Sequence, residues 1–99
     1  MDFYITYQFH ATLWQHQGSA GWYFVSLPLH LAEEIREHLQ HHEQGWGRLP
    51  ALARIGKAEW KTAIWYDTRQ ATYLLPVKAS IRNAENLQTG DAFDVQIRL

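Results

Sequence analysis

The sequence contains no cysteine. That absence excludes a disulfide framework, thiolate metal ligation and a cysteine nucleophile, and it is compatible with a reducing compartment. No apolar run approaches the roughly 20 residues that a membrane-crossing helix needs, and Met1-Asp2-Phe3-Tyr4 does not begin a basic segment followed by an apolar stretch. A cytoplasmic protein without membrane attachment is the expectation. Charge of one sign is also scarce: nine Lys and Arg stand against ten Asp and Glu, a formal net charge of −1. Nucleic-acid binders draw much of their affinity from clustered positive charge, so this balance argues against a nucleic-acid partner. The distribution is uneven, however. Residues 1–49 carry two basic and five acidic groups, and residues 50–99 carry seven and five, which leaves room for a modest basic face on the second half. There is no nucleophile-elbow serine, phosphate-cradling glycine-rich loop or dinucleotide fingerprint. No enzyme activity and no cofactor are therefore expected.

What is present is alternation. Phe93, Val95, Ile97 and Leu99 are interleaved with Asp94, Gln96 and Arg98, the period-two pattern of a strand with one buried face. Gly90 supplies the positive φ that a tight turn needs, and Asp91 can accept hydrogen bonds from nearby backbone N–H groups. Residues 72–75 form another strand ending at Pro76, after which Val77, Ile81 and Ala84 recur at helical spacing. Earlier, Phe3, Ile5, Tyr7, Phe9, Ala11 and Leu13 alternate over eleven positions, which predicts one long strand bent around a barrel. Residues 22–27 return from a polar loop as the second strand. Pro28 opens a helix over about residues 29–42 with Leu31, Ile35 and Leu39 on its core face. A strand over 48–55 follows, in which Pro50 must lie at an edge, at the start or on a bulge. Gly56-Lys57 turns the chain into a strand over 58–66.

The count is six strands and two helices. Leu27-Pro28 followed by Ile35-Arg36 is echoed by Leu75-Pro76 followed by Ile81-Arg82, and each pair of motifs follows one strand and precedes another. The chain thus divides into two ββαβ halves, about 1–56 and 57–99, within a single domain spanning 1–99. With 99 residues it is long enough to bury roughly 60–70% of the surface its unfolded form exposes.

Leu75-Pro76-Val77-Lys78 with Ile81-Arg82 and Gly90-Asp91 resembles the swapped-hairpin module of AbrB-type and MazE-type antitoxin regulators. The whole chain is similar to the domain-of-unknown-function-1905 family, through Leu13-Trp14, the run from Trp22 to Pro28, Ile35-Arg36, Gly45-Trp46-Gly47, Ile55-Gly56, Trp60-Lys61-Thr62, the run from Tyr73 to Lys78, and Gly90-Asp91. The resemblance implies a mainly β fold, a double-split β-barrel, as a single-chain counterpart of the barrel those regulators build from two subunits. The chain departs from the family at Ala63-Ile64-Trp65-Tyr66, where Thr-Ser-aliphatic-Phe-Pro is usual. A six-stranded barrel fills its interior with side chains, so a site would lie in an outer groove, at a barrel end or under a helix.

Three sets of residues are candidates for binding. Lys78 and Arg82, with Arg36 in the first half, are basic residues on or beside the helices, and Lys78 stands at a helix start, where free N–H groups favour an anion. Their alternative is a salt bridge to Asp91, Asp94 or Glu85, or a solvated face. Among the tryptophans at 14, 22, 46, 60 and 65, Trp60 and Trp65, with Thr62 between them, are the candidates for a binding platform; their alternative is core packing. His38 and His42 share a face at the i, i+4 spacing of two-histidine metal sites, with Glu34 a turn earlier, or else are exposed histidines favoured by a helix C-terminus. The reading is a non-enzymatic module for a small anionic molecule or a protein partner, monomeric or homodimeric. The alternatives are an AbrB-like nucleic-acid-binding regulator and a purely structural module.

Overall fold

The computed structural model describes residues 5–18 and 21–99, and for Trp46 the backbone only. Phe3, which opens the expected first strand, lies outside the described residues. The elements run β1 (Thr6–Thr12), β2 (Trp14–Gln15), β3 (Tyr23–Ser26), α1 (Leu29–Leu39), two short 3₁₀ turns (Gln40–His42 and Gly45–Gly47), β4 (Arg48–Ile55), β5 (Ala58–Asp67), β6 (Thr72–Pro76), α2 (Ala79–Ala84) and β7 (Ala92–Arg98). All strands belong to one antiparallel sheet in the order β1-β7-β4-β5-β6-β3-β2. The fold is mainly β, a curled half-barrel carrying two helices.

Seven strands stand where six are expected, because the long first strand divides at Leu13. Up to Thr12 it pairs with β7, from Thr6↔Arg98 to Thr12↔Ala92. From Trp14 it pairs with β3 instead. Leu13 itself is buried and keeps its backbone satisfied in passing, donating to the Asp91 carbonyl and accepting from the Gly90 N–H, each at 2.9 Å. The two outermost strands of the sheet order are therefore consecutive in the chain and separated by this one residue. A ten-residue ladder on one straight partner would keep the sheet open; changing partners at Leu13 lets it curl.

Alternation decides the core. Tyr7, Phe9, Ala11 and Leu13 point inward with Val25, Ile64, Tyr73, Leu75, Val95 and Ile97, all buried. Ala32 and Ile35 of α1 and Ile81 of α2 are buried with them. Leu31 and Leu39 are only partly buried against this core. Gly90 has φ +95°, and the Asp91 carboxylate accepts the Gln88 N–H at 2.8 Å, the turn chemistry expected there. Pro50 pairs with Ala63 on one side, while the β4–β7 ladder spans only Leu52 to Arg54, so the proline lies on a locally unpaired strand edge.

The first helix is shorter than expected. It ends at Leu39, whose φ −125° and ψ 3° leave the helical range, and Gln40–His42 continue as a 3₁₀ turn. No helix among the described residues is long and apolar enough to cross a membrane.

Candidate functional site

Two adjoining depressions form on the outside of the sheet. The smaller, about 410 Å³, lies between β5, the end of β6 and the start of α2, and it is lined by Trp60, Lys61, Thr62, Lys78 and Arg82. Four residues picked from sequence therefore meet in one hollow: Trp60 and Thr62 from β5, Lys78 from the residue that caps α2, and Arg82 from one turn further on. Their roles differ. Trp60 is 6% exposed and belongs to the core, so it backs the hollow and is not an open stacking platform. Lys78 is exposed, with no carboxylate within salt-bridge distance among the described residues. The expected alternative partners Asp91, Asp94 and Glu85 do not reach it. With only six residues, α2 is too short to give Lys78 a strong helix-terminal field. The case for an anion rests on the side-chain charges.

Arg82 is held by an aromatic face. Its guanidinium carbon sits 3.6 Å from the ring centroid of Tyr23 on β3, a cation–π geometry that fixes the group without neutralising it. Its Nε is buried and has no hydrogen-bond acceptor among the described residues. Among the described residues, Lys61, Lys78 and Arg82 are the charged ones lining the hollow, and no carboxylate lines it.

Arg36 goes elsewhere. It stacks over Tyr66 at 3.9 Å, and its Nη1 lies 3.5 Å from Glu43 Oε2. The same carboxylate oxygen accepts the hydroxyl of Tyr73, and Tyr66 and Tyr73 meet edge to face. Burial, then the Glu43 hydrogen bond and charge, push the Tyr73 hydroxyl well above the usual tyrosine value. Arg36 thus ends in a closed network that ties the turn after α1 to β5 and β6. Its counterpart in the echoed motif, Arg82, has a tyrosine but no acid among the described residues.

The larger depression, about 850 Å³, is an open aromatic groove. Because Val25, Tyr73, Leu75 and Ile64 face the core, their strand neighbours face outward. Trp14, Phe24 and Pro76 form one cross-strand row, and Ser26, Leu74 and Trp65 the next. Trp65 is 37% exposed here, so the two tryptophans chosen from β5 separate: Trp60 inward, Trp65 outward. Trp14 Nε1 donates to Ser26 Oγ at 3.0 Å, and that hydroxyl donates to Gln70 Oε1 at 2.8 Å, which ties the loop after β5 to the groove wall. Trp22, 55% exposed, stacks on Phe24 with ring centroids 6.0 Å apart and planes 13° from parallel. Trp22 and Pro76 line both depressions, so the aromatic groove and the basic hollow share a wall. Sequence reasoning missed both residues. Trp22 was visible as a tryptophan beside a loop glycine, yet nothing local showed which way it would lie.

His38 and His42 lose the basis of their pairing. The helix gives way to the 3₁₀ turn between them, so they are not successive turns of one helix face, and His42 instead lies 4.1 Å, centroid to centroid, from His41. No group of three potential metal-ligating side chains occurs among the described residues.

A family model described as a domain of unknown function (DUF1905) matches residues 9–97. No curated protein matches the chain.

Proposed function

The chain belongs to the DUF1905 family, a domain of unknown function, and we propose that it is a non-enzymatic binding module that holds a small anion in the hollow of Lys61, Lys78 and Arg82. One observation carries this reading: three cations line one hollow with no carboxylate lining it among the described residues. Like charges gathered without a counter-ion repel one another, and an anion placed among them relieves that repulsion. The contrast with Arg36 supports it, since that arginine already has Glu43.

The fold reading goes with the functional one. We read the chain as a double-split barrel of two ββαβ halves, 1–56 and 57–99. The pairing pattern supports this: exchanging β1 with β5, β3 with β6 and β4 with β7 turns the β1–β7 pair into β5–β4 and leaves β3–β6 and β4–β7 unchanged. The arginines also cross between the halves, though onto strands that the exchange does not relate. Arg36 of the first half stacks on Tyr66 of the second, and Arg82 of the second stacks on Tyr23 of the first. The two halves then differ functionally because Glu43 serves only one of them.

Thermal unfolding of the purified protein against inorganic phosphate, sulfate and small carboxylates tests the binding reading. An anion at a hundred times its dissociation constant adds about 2.7 kcal/mol, a rise of several degrees for a chain of this length. The Lys78→Ala variant should fold normally and lose that rise. An undiminished rise in the variant would remove the hollow from consideration, and strong, salt-sensitive binding of short duplex DNA would favour a nucleic-acid role instead.

A further inference from the structure

We propose that the ligand of this protein is a planar aromatic molecule bearing one oxyanion group, with the oxyanion in the basic hollow and the ring system in the adjoining aromatic groove. The inference rests on the anion-binding reading above and adds the identity of the rest of the ligand. Its basis is continuity: Trp22 and Pro76 belong to both depressions, so a molecule anchored at Lys78 meets aromatic surface at once. Trp22 and Phe24 are nearly parallel, and Trp14 adjoins Phe24 at 5.2 Å between centroids, giving a broad apolar surface facing solvent. Flat ring systems gain most from such a surface, because offset stacking buries a whole face against it.

Charge complementarity selects the rest. A neutral ligand would leave Lys61, Lys78 and Arg82 without a partner, whereas an inorganic anion would leave the groove uncovered and an aliphatic oxyanion would leave its aromatic faces unstacked. A protein segment would have to cover both depressions at once, a larger demand than a ligand of two or three rings and one acidic group. The groove also has a defined far side, since the Trp14–Ser26–Gln70 hydrogen-bond chain holds its wall in place before any ligand arrives. A preformed wall lowers the ordering cost of binding.

The test compares three probes by titration calorimetry on the full chain: 2-naphthyl phosphate, inorganic phosphate and 2-naphthol. The expected result is that 2-naphthyl phosphate binds at least about tenfold more tightly than either fragment, in line with the worth of one stacked ring system on aromatic side chains. Trp65→Ala, which removes part of the groove wall and leaves the hollow intact, should weaken 2-naphthyl phosphate towards the affinity of inorganic phosphate without changing the latter. Lys78→Ala should weaken both phosphates and leave 2-naphthol alone. Equal affinity of the two phosphates, with both still weakened by Lys78→Ala, would overturn this inference while the anion-binding reading stands. Phosphate binding that ignores Lys78→Ala would overturn both. The comparison of probes on the unaltered protein decides the matter even where a variant folds poorly.

Discussion

Tyr73→Phe is expected to lower folding stability by about 1.5–3 kcal/mol, the range for a hydrogen bond to a charged group. The ring of Tyr73 is fully buried, so phenylalanine keeps its packing and removes only the hydroxyl. What remains is Glu43, whose side chain is 12% exposed, with its carboxylate facing Arg36 at 3.5 Å and no phenol to donate to it. Denaturant unfolding of the two proteins measures the difference, and a change below about 0.5 kcal/mol, the scale of an ordinary surface substitution, would mean that the network contributes little. The same residue predicts an alkaline signature. A folded-state value raised above the unfolded one leaves stability intact below about pH 10 and removes it as pH climbs through the folded value. The parent protein should therefore lose stability on the alkaline side, and Tyr73→Phe should flatten that limb. It will not abolish it, because Tyr7 is shifted in the same direction by burial and then by the charge of Glu34.

Trp60→Ala is expected to cost about 3–5 kcal/mol, as large aromatic truncations in cores do. Trp60 faces the core opposite Ala53 in the β4–β5 ladder, and the methyl group of that fully buried alanine is too small to refill the space. Against a total of about 5–15 kcal/mol for a domain, such a loss removes from about a fifth to all of the stability. The variant therefore reports on folding, and any loss of binding in it says nothing about the hollow. Trp65→Ala, at a position 37% exposed, should change the unfolding midpoint far less. Equal destabilisation by the two substitutions would contradict the assignment of Trp60 to the core face and Trp65 to the outer face.

The strands were legible in the sequence because their burial is one-sided. Phe93, Val95 and Ile97 alternate with charged and polar residues, and β7 lies where that alternation places it. The Gly56-Lys57 hairpin and the Gly90 turn were equally plain, each marked by a glycine that takes positive φ. The division at Leu13 was not legible. Ala11 and Leu13 both face the core, so the inward pattern runs on unbroken while the hydrogen-bonding partner changes from β7 to β3, and that choice is made by chain segments some ten and eighty residues away. The early end of α1 escaped for a different reason: no glycine or proline stands at Leu39 to signal it, and the next glycine, Gly45, comes six residues after the helix has already ended.

The site was legible by residue type and illegible by partner. Lys78, Arg82 and Trp60 were chosen as basic and aromatic residues of the second half, with Thr62 as the residue between two tryptophans, and the fold brings them together. Arg36 was chosen because it echoes Arg82, yet the echo carries no information about Glu43, a residue outside the repeated motif that occupies it. Tyr73 and Glu43 are thirty positions apart, and only the folded turn after α1 brings them into contact. Trp22 could be placed beside the hollow only once the β2–β3 hairpin was known.

The most direct measurement is a two-dimensional amide and indole NMR titration of the isotope-labelled protein with inorganic phosphate. The account predicts progressive shifts centred on Lys61, Thr62 and the backbone from Lys78 to Arg82, with the Trp22 indole following as the residue shared with the groove, and none at Arg36 or Glu43. Shifts centred on Arg36, or none anywhere at phosphate concentrations that saturate ordinary anion sites, would contradict it.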